Sequence, residues 1–376
     1  MTFKKKLGAG LLLLLLALAG WIALSARVLT GAGEYLGMDD VVAKLDGTYG
    51  LYGPALSDRT DAYRQALYKH YKPVAAVLGS SRVLQFRAEN FSVPFVNLGG
   101  LRGLDDADTL ARKLFAEQAP KILILGADVW WFSPAAATPA IPPEPTLWTA
   151  MRRLSFGDIA TLLTADTPDV GINAILRKDG LDRFGSSYDT SLWTGARDTD
   201  DGEFRDSLAK IHAGTGAFAH GRDISAGNMQ KFLSLLDFLQ SKNVKVILLL
   251  PPLAPTVIDA MDEEKDAYIY VDNIRRHLKA VASARNIPLF DFHDARSIGA
   301  TDCEFEDGVT PGEIADDRML LRMALGDLGL RKSLKLPELA YAIEHNAGHV
   351  STNADEVDFL GIGCVKQSVE EIKDAP

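Results

Sequence analysis

Hydrophobic residues follow three rhythms along this chain. The first is unbroken: after Lys4, Lys5 and Lys6 an apolar run covers residues 7–26, and Arg27 closes it. A bilayer needs roughly 20 such residues, whereas a signal-peptide core is usually about 7 to 15. Basic residues ahead of the run predict a cytoplasmic N-terminus with the remainder on the far side. The expectation is a retained single-pass anchor in the cytoplasmic (inner) membrane, with the bulk of the chain periplasmic. The alternative is a signal cleaved near Ala23-Leu24-Ser25.

The second rhythm alternates short β-type runs with amphipathic stretches. Strands are predicted over 74–78, 93–97, 121–125, 244–250 and 287–292, and helices over 105–117, 227–241, 263–285 and 312–325. Short apolar strands separated by helices predict an α/β domain, a doubly wound parallel sheet covered on both faces. The third rhythm is an absence of one. Residues 133–225 open on Pro134, Pro139, Pro142, Pro143 and Pro145 and continue through scattered glycines, too long for a simple crossover. They read as a large insertion after the third strand, capping the active face. The resulting division is an anchor over 1–27, a helical stalk over 28–73, an α/β domain over 74–132 and 226–330, the insertion, and a tail over 331–376.

Charge and cysteine content narrow the chemistry. A formal net charge of −10 over 376 residues excludes a nucleic-acid partner, which needs a basic footprint. The two cysteines, Cys303 and Cys364, would meet an oxidising compartment and are expected to bridge. Without a clustered histidine they make no zinc site, so no metal is expected. No cofactor is expected either: the glycines of Gly99-Gly100-Leu101-Arg102-Gly103 lack the spacing of a dinucleotide loop.

The densest chemical signal is Gly79-Ser80-Ser81-Arg82 at the end of the first predicted strand. A serine on a tight turn at the C-terminal edge of a sheet can present its hydroxyl beside free backbone N–H groups. Equally, Ser80 or Ser81 can simply cap the turn that follows. Four segments in order resemble the blocks of the SGNH (GDSL-type) hydrolase superfamily: Gly79-Ser80-Ser81, then 97–103, then Gly126-Ala127-Asp128-Val129, then Glu306-Asp307-Gly308-Val309-Thr310. The resemblance implies a flavodoxin-like SGNH fold, with Ser81 as nucleophile, Gly99 or Gly103 as oxyanion donor and Asp307 as the residue orienting a base. An anchored extracytoplasmic member is similar to accessory proteins of polysaccharide or teichoic-acid O-acylation. That likeness implies a cell-envelope glycan or acylated polymer as ligand, and a membrane-bound O-acyltransferase as partner.

Two positions depart from the pattern. Asp128 stands where the family has an oxyanion-donating asparagine, and Thr310 stands where it has the histidine base. A threonine hydroxyl cannot take a proton from serine, and an ionised carboxylate repels an oxyanion. His293, after the fifth predicted strand, is the best substitute base, with His220 in the insertion a remoter one. Trp130 and Trp131 could stack on sugar rings or pack the insertion, and Arg82 could hold an anion or a structural ion pair. Two readings stay open: acyl transfer or ester hydrolysis at Ser81, or a degenerate SGNH domain that binds a glycan or a partner.

Overall fold

The fold is described from a computed structural model over residues 3–56, 59–135, 147–352 and 356–364. Pro139, Pro142, Pro143 and Pro145, and the tail beyond 364, lie outside the described residues. The chain forms two compact units, one of residues 1–66 with 142–183 and one of 67–141 with 184–376. The stretch read as an insertion, 133–225, is thus shared: 142–183 belongs to the smaller unit, and 133–141 and 184–225 to the larger. Among the helices are α1 (Phe3–Gly31), α2 (Leu104–Phe115), α3 (Phe156–Thr164), α4 (Ala226–Ser241), α5 (Ile269–Ala284) and α6 (Glu313–Gly326).

The smaller unit is built on α1, whose segment Ala9–Gly31 has a mean hydropathy of 2.3 and is long and apolar enough to cross a membrane. Its last turns leave the apolar run and pack: Val28, Leu29 and Ala32 form a cluster with Met151, Ile159, Leu162 and Ile172. Buried Glu34 accepts the backbone N–H groups of Ala55, Leu56 and Ile172 at 2.8–3.1 Å, fixing how the chain returns to this cluster. The predicted stalk over 28–73 is not one helix. Helices Met38–Leu45 and Thr60–Tyr71 flank an extended piece in which Tyr52 and Gly53 hydrogen-bond to Leu181 and Val170. A Cβ on Gly53 would lie 2.1 Å from the Asp179 carbonyl oxygen, so only glycine admits that close backbone crossing.

The larger unit holds a five-stranded sheet: β1 (Ala75–Leu78), β2 (Phe95–Leu98), β3 (Ile122–Gly126), β4 (Lys245–Leu250) and β5 (Leu289–Asp291). All neighbours pair in parallel, in the order β2-β1-β3-β4-β5. Every residue of β1, β2 and β3 is buried; because consecutive side chains point to opposite faces, the sheet is covered on both. The α/β fold is therefore doubly wound, and its topological switch point lies between β1 and β3, where such sheets place their ligands. The predicted helix over 263–285 starts later, at Ile269, after a separate helix Pro255–Glu263 and a 3₁₀ turn at Lys265–Ala267.

Cys303 and Cys364 form the expected disulfide, with Cα atoms 5.4 Å apart, and tie the tail to the loop ahead of Asp307. Closing a loop of 61 residues restricts the unfolded chain, a contribution of about 2–4 kcal/mol. Replacing both cysteines with serine should therefore lower the unfolding free energy from urea titration by that amount and move the midpoint down accordingly. An unchanged midpoint, or two free thiols in the unfolded unreduced protein, would contradict the bridge.

Candidate active site

Gly79 and Gly99 directly follow β1 and β2, and Gly126 ends β3, and the reason for all three is one side chain. Val83 is fully buried among them, and a Cβ on any of the three would approach its methyl groups to 2.8–3.0 Å. The chain after β1 can fold tightly over the strand ends only because these positions are empty. Ser80 accepts the Arg82 backbone N–H, and Ser81–Val83 form one 3₁₀ turn. The capping role weighed for the serines is thus filled by Ser80. Ser81 is exposed at the edge of the switch point, and its hydroxyl makes no hydrogen bond among the described residues.

Arg82 turns the other way, and only 1% of its surface is exposed. Its guanidinium donates to Asp128 Oδ1 at 3.0 Å, to the Pro251 carbonyl at 2.5 Å and to the Val309 carbonyl at 3.0 Å. It also lies over the Trp130 ring, 4.8 Å from the centroid. One side chain from the end of β1 thus holds the segments that follow β3 and β4, together with the Asp307 loop. Burial pushes the Asp128 carboxyl up, and the charge of Arg82 pulls it back. The isolated repelling carboxylate expected at Asp128 is therefore absent: it is an ion-pair partner, and Arg82 is structural and unavailable to an external anion.

Asp307 and Thr310 come together as the resemblance implies, although not as a base and its orienter. Asp307 Oδ1 accepts the backbone N–H groups of Val309 and Thr310 at 2.8 and 2.7 Å, and Oδ2 accepts the Thr310 hydroxyl at 3.2 Å. The carboxylate is spent on its own turn. His293 is 5% exposed, and its Nδ1 has no hydrogen-bond partner among the described residues. Burial, helped by the charges of Arg275 and Arg82, drives its imidazole well below the usual range, so it is held neutral. No hydrogen bond joins it to Ser81. His220 is taken up elsewhere, its Nε2 on the Ile211 carbonyl at 2.9 Å and its ring edge-on to Tyr268.

Of the two oxyanion candidates, Gly99 donates its N–H to Asn97 Oδ1 at 2.8 Å, while Gly103 caps the N-terminus of α2. Trp131 is buried and cannot stack on a sugar; Trp130 is half-exposed and carries Arg82 on its face.

Several organising residues are invisible to motif reading. Fully buried Asn97 donates to the carbonyls of Val83 and Phe86 and so fixes the turn after Ser81. Gln85 donates to Glu306 at 2.6 Å, and Arg87 donates to Gln85 and to the Ser187 carbonyl while lying over Tyr188. Asp201 accepts from Gly308 N at 3.0 Å and from Ser207, shaping the Asp307 loop from a polar stretch with no periodicity. Asp316 and Asp317 are 0% and 1% exposed and form the inner face of α6. A cavity of about 300 Å³ opens beside Asp307 and Val309, lined also by Asp189, Asp201 and Glu306 with Arg197 and Lys210; Ser81 is not part of its wall. Among the described residues no cluster of histidine, cysteine and carboxylate side chains could hold a metal ion.

No family model matches the chain, and no curated protein matches it. Two solved structures are similar to it. One is a candidate acylhydrolase of Bacteroides fragilis, 14% identical, with 69% of this chain and 86% of that chain covered and a TM-score of 0.32. The other is a GDSL-like lipase of Bacteroides thetaiotaomicron, 13% identical, with 69% and 87% covered and a TM-score of 0.32. The fold stands on the sheet itself, on its parallel direction and its strand order.

Burial, with the nearby charges of Asp307 and Asp189, pushes the Glu306 carboxyl up from 4.5 to about 8. A folded-state value above the unfolded one favours the protonated native state. Its contribution is fully present below about pH 4.5 and is lost as pH rises through about 8. Glu306→Gln should flatten that alkaline limb in thermal melts recorded across pH. A variant whose melting profile parallels that of the parent chain would show that Glu306 is already ionised in the fold.

Proposed function

We propose that this chain is a membrane-anchored SGNH-like domain whose Ser81 site has given up hydrolysis. In this reading it binds a glycan or a protein partner in cell-envelope or exopolysaccharide modification. The observation that carries the reading is the buried Arg82 guanidinium, each of whose three nitrogens donates within the fold, to Asp128, Pro251 and Val309. Serine hydrolysis needs a base on the nucleophile and donors aimed at the developing oxyanion. Here the loop that would supply the base supplies Thr310, and Asp307 closes on its own backbone. Loss of a triad member in serine hydrolases removes on the order of 10⁴ to 10⁶ of the rate. The apolar helix α1 would anchor the chain in the inner membrane, with both globular units on the periplasmic side. There the ligand would be a cell-envelope glycan or acylated polymer, or the partner a membrane-bound O-acyltransferase.

A second reading keeps Ser81 as the nucleophile of acyl transfer or ester hydrolysis. It is favoured by the exposed, unbonded Ser81 hydroxyl and by the neutral His293 ring with its unpartnered Nδ1. Labelling of the detergent-solubilised full chain with a serine-directed fluorophosphonate separates the two, with Ser81→Ala and His293→Ala in parallel. The binding reading predicts no Ser81-dependent label and no turnover of small acetyl esters. Labelling that disappears in both variants would establish the enzyme instead.

A further inference from the structure

The geometry of the smaller unit points to a second membrane contact: we propose that Trp148, Phe156 and Leu163 insert into the same bilayer that α1 crosses. The inference rests on the reading of α1 as membrane-spanning and extends it to a surface that the sequence did not suggest.

The argument starts from length. Among the residues of α1 whose side chains are described, 9–20 are exposed on every side; from Trp21 onward one face is covered, through Leu24, Ser25, Val28 and Leu29. Twelve residues of helix reach about 18 Å, far short of a hydrocarbon core of about 30 Å. The charges that bound the apolar run are Lys6 and Arg27, about 20 residues apart, which is the length required. The turns from Trp21 to Ala26 must therefore lie within the bilayer although protein covers one side of them. Whatever covers them is carried to the same depth.

The covering elements are the helix Leu147–Arg152 and α3. Trp148 meets Trp21 edge-on with ring centroids 6.3 Å apart, yet it is 60% exposed. In α3, Ile159 and Leu162 face inward onto the α1 cluster. Phe156, Ala160 and Leu163, spaced i, i+4, i+7, form a separate outward stripe, with Phe156 94% exposed. A short helix apolar on two sides needs two apolar neighbours, and among the described residues the fold supplies one, the α1 cluster. A groove between α1 and α3, lined by Ala26, Arg27, Thr30, Gly31, Leu162 and Leu163, continues this surface. The exposed cations Arg27, Arg152 and Arg153 flank it, as they would at a layer of anionic headgroups. Aromatic rings beside basic residues at the end of a span are the composition of a membrane interface.

The test uses the full chain in nanodiscs of phosphatidylcholine and phosphatidylglycerol, with doxyl-labelled lipid as quencher. Single cysteines at Trp148→Cys, Phe156→Cys and Leu163→Cys carry a polarity-sensitive fluorophore; the native pair is bridged and does not react. Thr161→Cys, on the opposite exposed side of α3, is the solvent control, and Leu14→Cys reports on the span. The proposal predicts blue-shifted, lipid-quenched emission at positions 14, 148, 156 and 163, and water-like emission at 161. Quenching at 14 with water-like emission at 148, 156 and 163 would overturn the interfacial contact and leave the anchor intact. Water-like emission at 14 would remove the anchor, and this proposal with it.

Discussion

The larger unit depends on a buried guanidinium. Arg82 leaves the first turn after β1 and lies where the ends of β3 and β4 meet the Asp307 loop. A guanidinium taken out of water is costly unless its N–H groups are matched, and it cannot relieve the cost by losing its proton. Two backbone carbonyls and one carboxylate do the matching, and they come from positions 46 to 227 residues away in sequence. This requirement makes sense of the two departures from the SGNH pattern together. Asp128 is acidic because a buried cation must be neutralised, and the Asp307 loop presents Val309 inward because Arg82 needs that carbonyl. Both positions therefore serve the arginine: one as its carboxylate partner, the other in the loop that presents a carbonyl to it.

A second buried layer stands behind the first. Arg87, Gln85 and Glu306 join the segment after Ser81 to the loop before Asp307, and Asn90 reaches Asp317 on α6. Asp316 and Asp317 are pushed well above the ordinary carboxylate range by burial and by neighbouring acids. A raised value favours the neutral form of both groups, which eases the packing of so acid-rich an interior. The disulfide holds the tail over the same region, where Val350 packs on Leu192 and Trp193. Around Ser81 the frame is tied from many directions, while the serine itself remains open to solvent. That combination suits a surface that presents a fixed shape.

Much of this architecture was legible from residue pattern. The strands were readable because five short β-type runs stand between amphipathic stretches, and the cysteine pair because its compartment made bridging the default. The three glycines at the strand ends could be seen, but not their reason, which is Val83 filling the space they leave. The Arg82 clamp could not be read, since two of its three acceptors are carbonyls and backbone carries no side-chain signature. Acidic residues on a helix are usually solvated, yet Asp316 and Asp317 are buried; Asp317 meets Asn90, 227 residues away in the chain, a pairing no local pattern announces. The extended piece at Gly53 was not readable, because periodicity gives no hint that another strand of backbone passes within contact there.

The account's central claim is that Arg82 and Asp128 are a coupled structural pair and not separate fittings of a reactive cleft. A double-mutant cycle of Arg82→Leu and Asp128→Leu, measured by denaturant unfolding, tests it directly. Each single change strands a buried charge and should cost about 3–5 kcal/mol, while the double change should cost less than their sum by about 2 kcal/mol or more. Additive losses, or an Arg82→Leu variant as stable as the parent, would contradict it.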